Sequence, residues 1–233
     1  MSNMLSTSKY QFSFALLLLI CSYGLYASFN RGNANAWYYK AEFSLNEWSD
    51  NNAITSKLDY DDTLTAISNA YQADQSHPHY NHIYGRILHW GVLNDYEPKE
   101  RIEEVKAWYL KAAELRTRWP DPWVDLAKLN NQLEGYNQET RYYIEQAIKT
   151  GPYVDYVNVG ILQVLLLNWT TLTGSERALL FERFAIATKQ PILKDVLFFA
   201  KEIGREKILC IQLNFNPAYQ SIKNSSVYRK YCK

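Results

Sequence analysis

The order of apolar and polar residues divides the chain into two unequal parts. Phe12–Phe29 is a run of 18 residues without a charged side chain. From residue 37 onward the pattern changes to amphipathic segments of helix length, separated by Pro, Gly and Asp. No alternating strand pattern interrupts these segments. The sequence therefore predicts an all-α protein, with an N-terminal membrane helix in residues 1–36 followed by a helical domain.

Several segments of the body show the spacing of a helix with one buried face. Leu64, Ile67 and Tyr71 recur on a single helical face, and residues 99–118 are strong helix formers throughout. Residues 154–169 are apolar nearly all round. Because this last segment is too short and too interrupted to cross a membrane, we expect it to be a buried central helix.

The C-terminal part carries its own start and stop signals. Thr173 and Glu176 have the spacing of a capping box, in which each side chain satisfies a backbone N–H of the other residue. We expect helical hairpins over residues 37–168, further helices over 169–213 and an irregular tail over 214–233.

The N-terminal apolar run is open to three interpretations. Its length is at the lower edge for a membrane-spanning helix, which needs about 20 apolar residues. A cleaved signal peptide would need a small-x-small site, and residues 25–27 and 34–36 offer two weak ones. Arg31 disfavours cleavage at the second. We expect an uncleaved anchor, with a cleaved signal or a soluble core helix as the alternatives.

Two sequence features concern the side of the membrane on which the helical domain lies: the charges that flank the apolar run, and the cysteines. Lys9 and Arg31 balance each other across the run, so the positive-inside rule does not orient it. A short N-terminal tail usually stays in the cytoplasm, which places the rest across the membrane. Cys210 and Cys232 are then either a disulfide in an exported domain or two reduced thiols, with Cys210 buried.

Two kinds of short motif recur along the body. Two alanine–proline pairs share a spacing of five residues: Ala73 with Pro78, and Ala147 with Pro152. The segment "NHIYGRIL" begins at Asn81 and the segment "WVDLA" begins at Trp123. The two segments have small and apolar residues at matching positions. Together these motifs indicate a repeated helical hairpin.

Over residues 58–168 this pattern resembles the tetratricopeptide repeat (TPR) in a degenerate form. Asn81 stands where the family usually has Trp, and Asn130 stands where it usually has an aromatic residue. The resemblance implies an α-solenoid that binds partners in a groove lined by the first helix of each hairpin. It also implies a scaffold rather than an enzyme.

The layout of membrane helix, helical repeats and paired-cysteine tail, with the segments "AWYYKAEFSL" and "YGRILHW", is similar to that of VpsP-type accessory proteins of bacterial polysaccharide biosynthesis. That resemblance implies a single-pass protein of the bacterial inner membrane with a periplasmic domain. Its partner would be a membrane component of polysaccharide synthesis or export.

All four histidines of the chain lie within residues 77–89. Four side chains of this segment share one face of the predicted helix: His79, His82, Arg86 and His89. Lys128 and Asn131 occupy matching places on the next first helix. The stripe is either a partner-binding groove, a solvated or partly packed polar face, or a metal site. Arg86 disfavours the metal, since it would place a positive charge beside the ion.

Trp119 and Trp123 bracket the segment "PDP" at a predicted helix junction. They are either core aromatics or rings that stack on a sugar, the latter being the basis for an alternative function as a direct glycan-binding periplasmic protein.

Charge and motifs narrow the remaining classes of function. The formal net charge is +1, which is unlike the strongly basic chains that bind nucleic acid. The sequence has no GxSxG elbow, P-loop or dinucleotide fingerprint, so we expect neither an enzyme nor a cofactor. Asp59, Asp61 and Asp62 are expected to cap a helix, the alternative being a catalytic carboxylate cluster.

Overall fold

The computed structural model describes the backbone of residues 2–233 and the side chains of residues 11–233, so the Lys9 side chain lies outside the described part. The described residues form helices and turns without a strand, and the all-α prediction is confirmed. The α-helices are α1 (Ser2–Asn51), α2 (Lys57–Ala73), α3 (Pro78–Leu93), α4 (Ile102–Leu115), α5 (Asp121–Glu134), α6 (Gln138–Thr150), α7 (Asp155–Leu167), α8 (Gly174–Ala187), α9 (Leu193–Glu202), α10 (Glu206–Phe215) and α11 (Ser226–Tyr231). Short 3-10 helices occur at Lys99–Arg101, Pro217–Tyr219 and Ile222–Asn224.

The chain forms two compact units, which divide within α4. Unit 1 ends at Trp108, and unit 2 spans Tyr109–Lys233. The boundaries predicted from the sequence lie after residues 36, 168 and 213. The first of these falls inside α1, which continues from Ser2 to Asn51 and contains no proline.

Helix α1 meets two different surroundings along its length. Between residues 11 and 33 nearly every side chain is exposed, including the apolar run. Beyond this point the helix buries one stripe of residues with helical spacing: Ala34, Tyr38, Ala41, Leu45 and Trp48. The N-terminal half is therefore an unpacked apolar rod, and the C-terminal half is an element of unit 1.

Unit 1 is built on α1, α2 and α3, which pack against one another. Gly91 on α3 permits this close packing, since a Cβ there would overlap the ring of Tyr60 on α2. The start of α2 is held by Ser56, whose hydroxyl accepts the Asp59 N–H at 3.1 Å. The Asp59 carboxylate in turn accepts the indole N–H of Trp48 at 2.7 Å. The cap of α2 is therefore Ser56, whereas Asp59 lies in the first turn and binds Trp48.

Unit 2 contains three successive helical hairpins. Within each hairpin the two helices pack together: α5 with α6, α7 with α8, and α9 with α10. The first helices also pack side by side, α5 with α7 and α7 with α9. The prediction of successive helical hairpins is confirmed in this unit. The capping box at the start of α8 is also confirmed, because Thr173 and Glu176 satisfy each other's backbone N–H.

The C-terminal segment differs from the expected irregular tail. It ends in α11, whose first turn is capped by the Ser225 hydroxyl accepting the Tyr228 N–H at 3.1 Å. Cys210 on α10 and Cys232 form a disulfide with a Cα–Cα distance of 5.4 Å. Tyr228 and Tyr231 are buried, so apolar packing as well as the disulfide ties this segment to unit 2.

Candidate partner-binding groove

The first helices of unit 2 enclose a surface cleft of about 300 Å³. Every residue that lines it belongs to α5, α7 or α9: Lys128, Asn131, Gln132, Gln163, Val164, Leu167 and Phe199. No second helix of a hairpin contributes to the lining. The cleft is therefore formed by the first helices of the hairpins alone.

Close packing of two first helices forms the floor of this groove. Gly160 lies on α7 where α7 meets α5, and a Cβ at this position would overlap the Val124 side chain. Val164, one turn further along α7, is buried. Leu167 follows and is 49% exposed, which makes it the most accessible apolar side chain of the floor. The floor therefore offers an apolar contact that water reaches in the isolated chain.

The rim of the groove carries amides and one cation. Asn131 accepts a hydrogen bond from the Asn168 amide at 2.7 Å, which fixes the orientation of its side chain. Gln132 and Gln163 add two further amides on α5 and α7. An amide side chain both donates and accepts, so such a rim can pair with the backbone of a bound peptide.

Lys128 supplies the positive charge of the groove. Its ammonium nitrogen lies 5.1 Å from the centre of the Tyr156 ring, within the range of a cation–π interaction. The Tyr156 hydroxyl donates a hydrogen bond to the buried Asp125 carboxylate. These contacts hold the Lys128 side chain at the groove, beside Tyr156.

The predicted stripe on α3 lies in unit 1, and its members differ in exposure. His79, Arg86 and His89 are half-buried, whereas His82 is only 3% exposed. His79 also contacts the Tyr38 ring edge-on, with 6.3 Å between ring centres. His82 is therefore packed inside unit 1, which fits the partly packed polar face at that position. Among the described residues no group of three or more His, Cys, Asp and Glu is arranged to hold a metal ion.

The two tryptophans proposed for sugar stacking are both packed against protein. Trp119 is 8% exposed, and the Arg116 guanidinium lies 5.6 Å from its ring centre. Trp123 is half-buried, and its ring centre lies about 6 Å from those of Tyr142 and Tyr143, at 6.1 and 6.2 Å. The burial of Trp119 removes the open ring face that a sugar needs, which supports the core interpretation at that position.

Sequence reasoning found only the α5 side of the groove. Lys128 and Asn131 were predicted, but Gln163, Leu167 and Phe199 were missed. Because α7 and α9 are also first helices, the register of α5 extended to them places their facing sides in the same groove. Residues 154–169 are apolar nearly all round, however, so the sequence shows no polar stripe on α7.

Comparison with known proteins adds little at the level of sequence. No family model matches the chain, and no curated protein matches it. Among solved structures it is similar to YrrB, described as a TPR protein with an unusual peptide-binding site, at 15% identity and a TM-score of 0.43. That likeness covers 80% of this chain and 87% of YrrB. What YrrB binds does not determine what this chain binds.

Proposed function

We propose that this protein is a membrane-anchored, non-catalytic adaptor that holds a segment of a partner protein in the groove of unit 2. The observation that carries the proposal is the groove itself, with its apolar floor at Leu167, its amide rim and the cation of Lys128. An enzyme would need reacting groups brought together with matched acid–base properties. The groove contains no titratable side chain other than Lys128.

The chemistry of the groove defines the segment that fits it. Its backbone would pair with the amides of Asn131, Gln132 and Gln163, as in other modes of extended-peptide recognition. One apolar side chain would cover Leu167. We therefore expect an extended segment with an apolar anchor.

The exposed half of α1 is the proposed membrane anchor. The run Phe12–Phe29 has no part of its apolar window buried, unlike the core helix of a soluble protein. At 1.5 Å per residue its 18 residues extend about 27 Å, close to the roughly 30 Å of a bilayer core. Cleavage in residues 34–36 would remove the buried Ala34 and the Asn35 side chain that accepts the Tyr80 hydroxyl at 2.6 Å. These contacts favour an uncleaved helix.

The disulfide bears on the side of the membrane. Disulfides persist in oxidising compartments such as the bacterial periplasm, so the Cys210–Cys232 pair supports placing unit 2 there. With a short N-terminal tail left in the cytoplasm, this describes a single-pass inner-membrane protein.

The partner that fits this location and the layout noted above is a membrane component of polysaccharide synthesis. A contact through Arg86 and His89 on α3 is part of the same proposal.

Position-specific crosslinking in native membranes tests the adaptor function. A photoreactive residue at Gln132, on the rim, should capture one membrane protein, and the same group at the exposed Glu134 should not. Leu167→Arg should reduce capture at least about tenfold, because a charge replaces the apolar contact of the floor. Leu133→Arg is the matched control, since Leu133 is 42% exposed on α5 and does not line the groove.

The proposal is wrong if Leu167→Arg and Lys128→Gln both leave capture unchanged while the helix content of each variant is normal. Oligosaccharide binding that survives both substitutions would instead favour the glycan-binding alternative.

A further inference from the structure

A second and larger concavity lies in unit 1, beside the end of the apolar run. It has a volume of about 850 Å³ and is formed by α1, between Tyr23 and Asn35, and by the segment Ala73–Tyr80, which joins α2 to α3. The apolar run ends at Phe29 and the first polar residues are Asn30 and Arg31. The concavity therefore lies at the level where the proposed anchor leaves the hydrocarbon and enters the headgroup layer.

The concavity contains one fixed cation and one fixed anion. Arg31 is exposed and lies in no ion pair or hydrogen bond among the described residues. The Asp74 carboxylate accepts the backbone N–H and the hydroxyl of Ser76 at 3.1 and 2.7 Å, both through Oδ1. Its other oxygen, Oδ2, takes part in neither bond. The pair is thus open to a ligand that brings the opposite charges.

A neutral polar group completes this surface. The Nδ1 atom of His77 is buried and has no hydrogen-bond partner among the described residues, while its ring stacks on Tyr80 at 3.9 Å. Burial lowers the pKa of His77, Arg31 lowers it further, and Asp74 acts in the opposite direction. The imidazole is therefore neutral near pH 7, and the fixed charges of the concavity sum to zero.

We propose that this concavity binds the zwitterionic headgroup of an aminophospholipid, with the phosphate at Arg31 and His77 and the primary ammonium at Asp74. A purely anionic headgroup would meet the Asp74 carboxylate, and a purely cationic one would meet Arg31. Tyr23 and Tyr26 line the same wall and are 74% and 66% exposed. Aromatic rings at this depth are typical of the membrane interface and also attract an ammonium group.

The acyl chains would lie along the exposed face of α1. Leu19, Tyr23 and Phe29 are each at least 69% exposed in the isolated chain. A free headgroup could use the charges but not this apolar surface. The proposal rests on the anchor function above, since a cleaved helix would lose Tyr23 and Tyr26.

Native mass spectrometry of the full chain tests this site. The protein is released from nanodiscs that contain equal amounts of phosphatidylethanolamine, phosphatidylcholine and phosphatidylglycerol with matched acyl chains. We expect phosphatidylethanolamine to be retained about tenfold over the other two, the effect of one charge-assisted hydrogen bond. Asp74→Asn should abolish the preference over phosphatidylcholine, whose quaternary ammonium cannot donate, and Arg31→Gln should lower retention of all three lipids.

Matched controls and a soluble competitor make each result decisive. Asp62→Asn and Arg118→Gln change the same charges at exposed positions outside the concavity and should retain the wild-type preference. Equal lipid profiles in all five proteins, or a preference for phosphatidylglycerol, would overturn the proposal. So would displacement of the lipid by an equal concentration of glycerophosphoethanolamine, since the ligand would then be a soluble headgroup.

The same spectra separate this inference from the proposed function. A mass that begins after residue 27 would show cleavage and refute both the anchor and the lipid site. A full-length mass without lipid preference would refute the lipid site alone, because crosslinking through unit 2 is measured independently.

Discussion

A buried amide closes the α5–α6 hairpin, and replacing Asn130 with alanine tests how much it contributes. Asn130 is 1% exposed. Its amide nitrogen donates to the Asn137 Oδ1 and to the Thr140 hydroxyl oxygen, each at 3.0 Å. Thr140 passes the connection on by donating to the Gly135 carbonyl at 3.0 Å. One side chain thus joins the end of α5 to the turn and to the start of α6.

The expected loss follows from these bonds. A neutral hydrogen bond contributes about 1 kcal/mol, and a buried partner left unsatisfied adds a cost of similar size. Asn130→Ala should therefore lower the free energy of unfolding by about 2–3 kcal/mol. At about 2–4 °C per kcal/mol for a chain of this size, the Tm should fall by roughly 5–10 °C.

Thermal unfolding of the full chain in mild detergent, followed by circular dichroism, measures this change. Gln138→Ala is the control, because it removes an exposed amide at the first residue of α6. Asn130→Asp keeps the side-chain shape but removes both donated bonds, so it should lose at least as much stability at neutral pH. A Tm for Asn130→Ala within about 1 °C of the control would refute the role assigned to this amide.

Three further predictions concern unit 2. Gly160→Ala should cost about 1–3 kcal/mol and weaken partner capture, since a Cβ would overlap Val124, whereas Gly174→Ala, with open space around it, should do neither. Replacing Cys210 and Cys232 with serine should remove about 3 kcal/mol for a loop with a sequence separation of 22, and reductant should lower the wild-type Tm to that of the variant but leave the variant unchanged. Burial alone would raise the pKa of Glu176, but hydrogen bonds from Arg141 and Thr173 outweigh it and lower the pKa to about 2. The contribution of the Glu176 carboxylate to the free energy of unfolding is therefore present above its unfolded pKa and lost as pH falls toward 2. A Glu176→Gln variant should be less stable than the wild type at pH 7 and equal to it near pH 2. A difference in stability that stays constant with pH would contradict this.

The sequence predicted those structural features that depend on residues close to one another in the chain. The Thr173–Glu176 capping box needs only two side chains and the turn between them, and it forms as expected. The apolar segment 154–169 became the buried helix α7, because an apolar surface on all sides can be satisfied only in a core. Polar side chains were harder to place. His82 has the spacing of an exposed stripe, but its burial depends on neighbours distant in sequence.

The two asparagines that depart from the repeat pattern show another limit of sequence reasoning. Asn81 donates to the carbonyls of Gln75 and His77, at 3.0 and 2.8 Å, and so fastens the turn before α3. Asn158 makes the same pair of bonds at the start of α7, to the carbonyls six and four residues before it. In the pattern of the tetratricopeptide repeat, Asn81 stands where a Trp is usual. In the structure it is a buried cap that recurs at the start of another first helix.

Helix α1 changes its apolar pattern along its length. Residues 12–29 show no helical period, as is typical of a helix that contacts apolar surroundings on every face. Against unit 1 only one face is covered, so the buried positions from Ala34 to Trp48 recur every three or four residues. Because the helix is continuous between these segments, no flexible linker separates the apolar run from the packed part of unit 1. In the anchor proposed above, the change of period at Asn30 would mark the membrane surface, and the segment Ala73–Tyr80 would lie beside it.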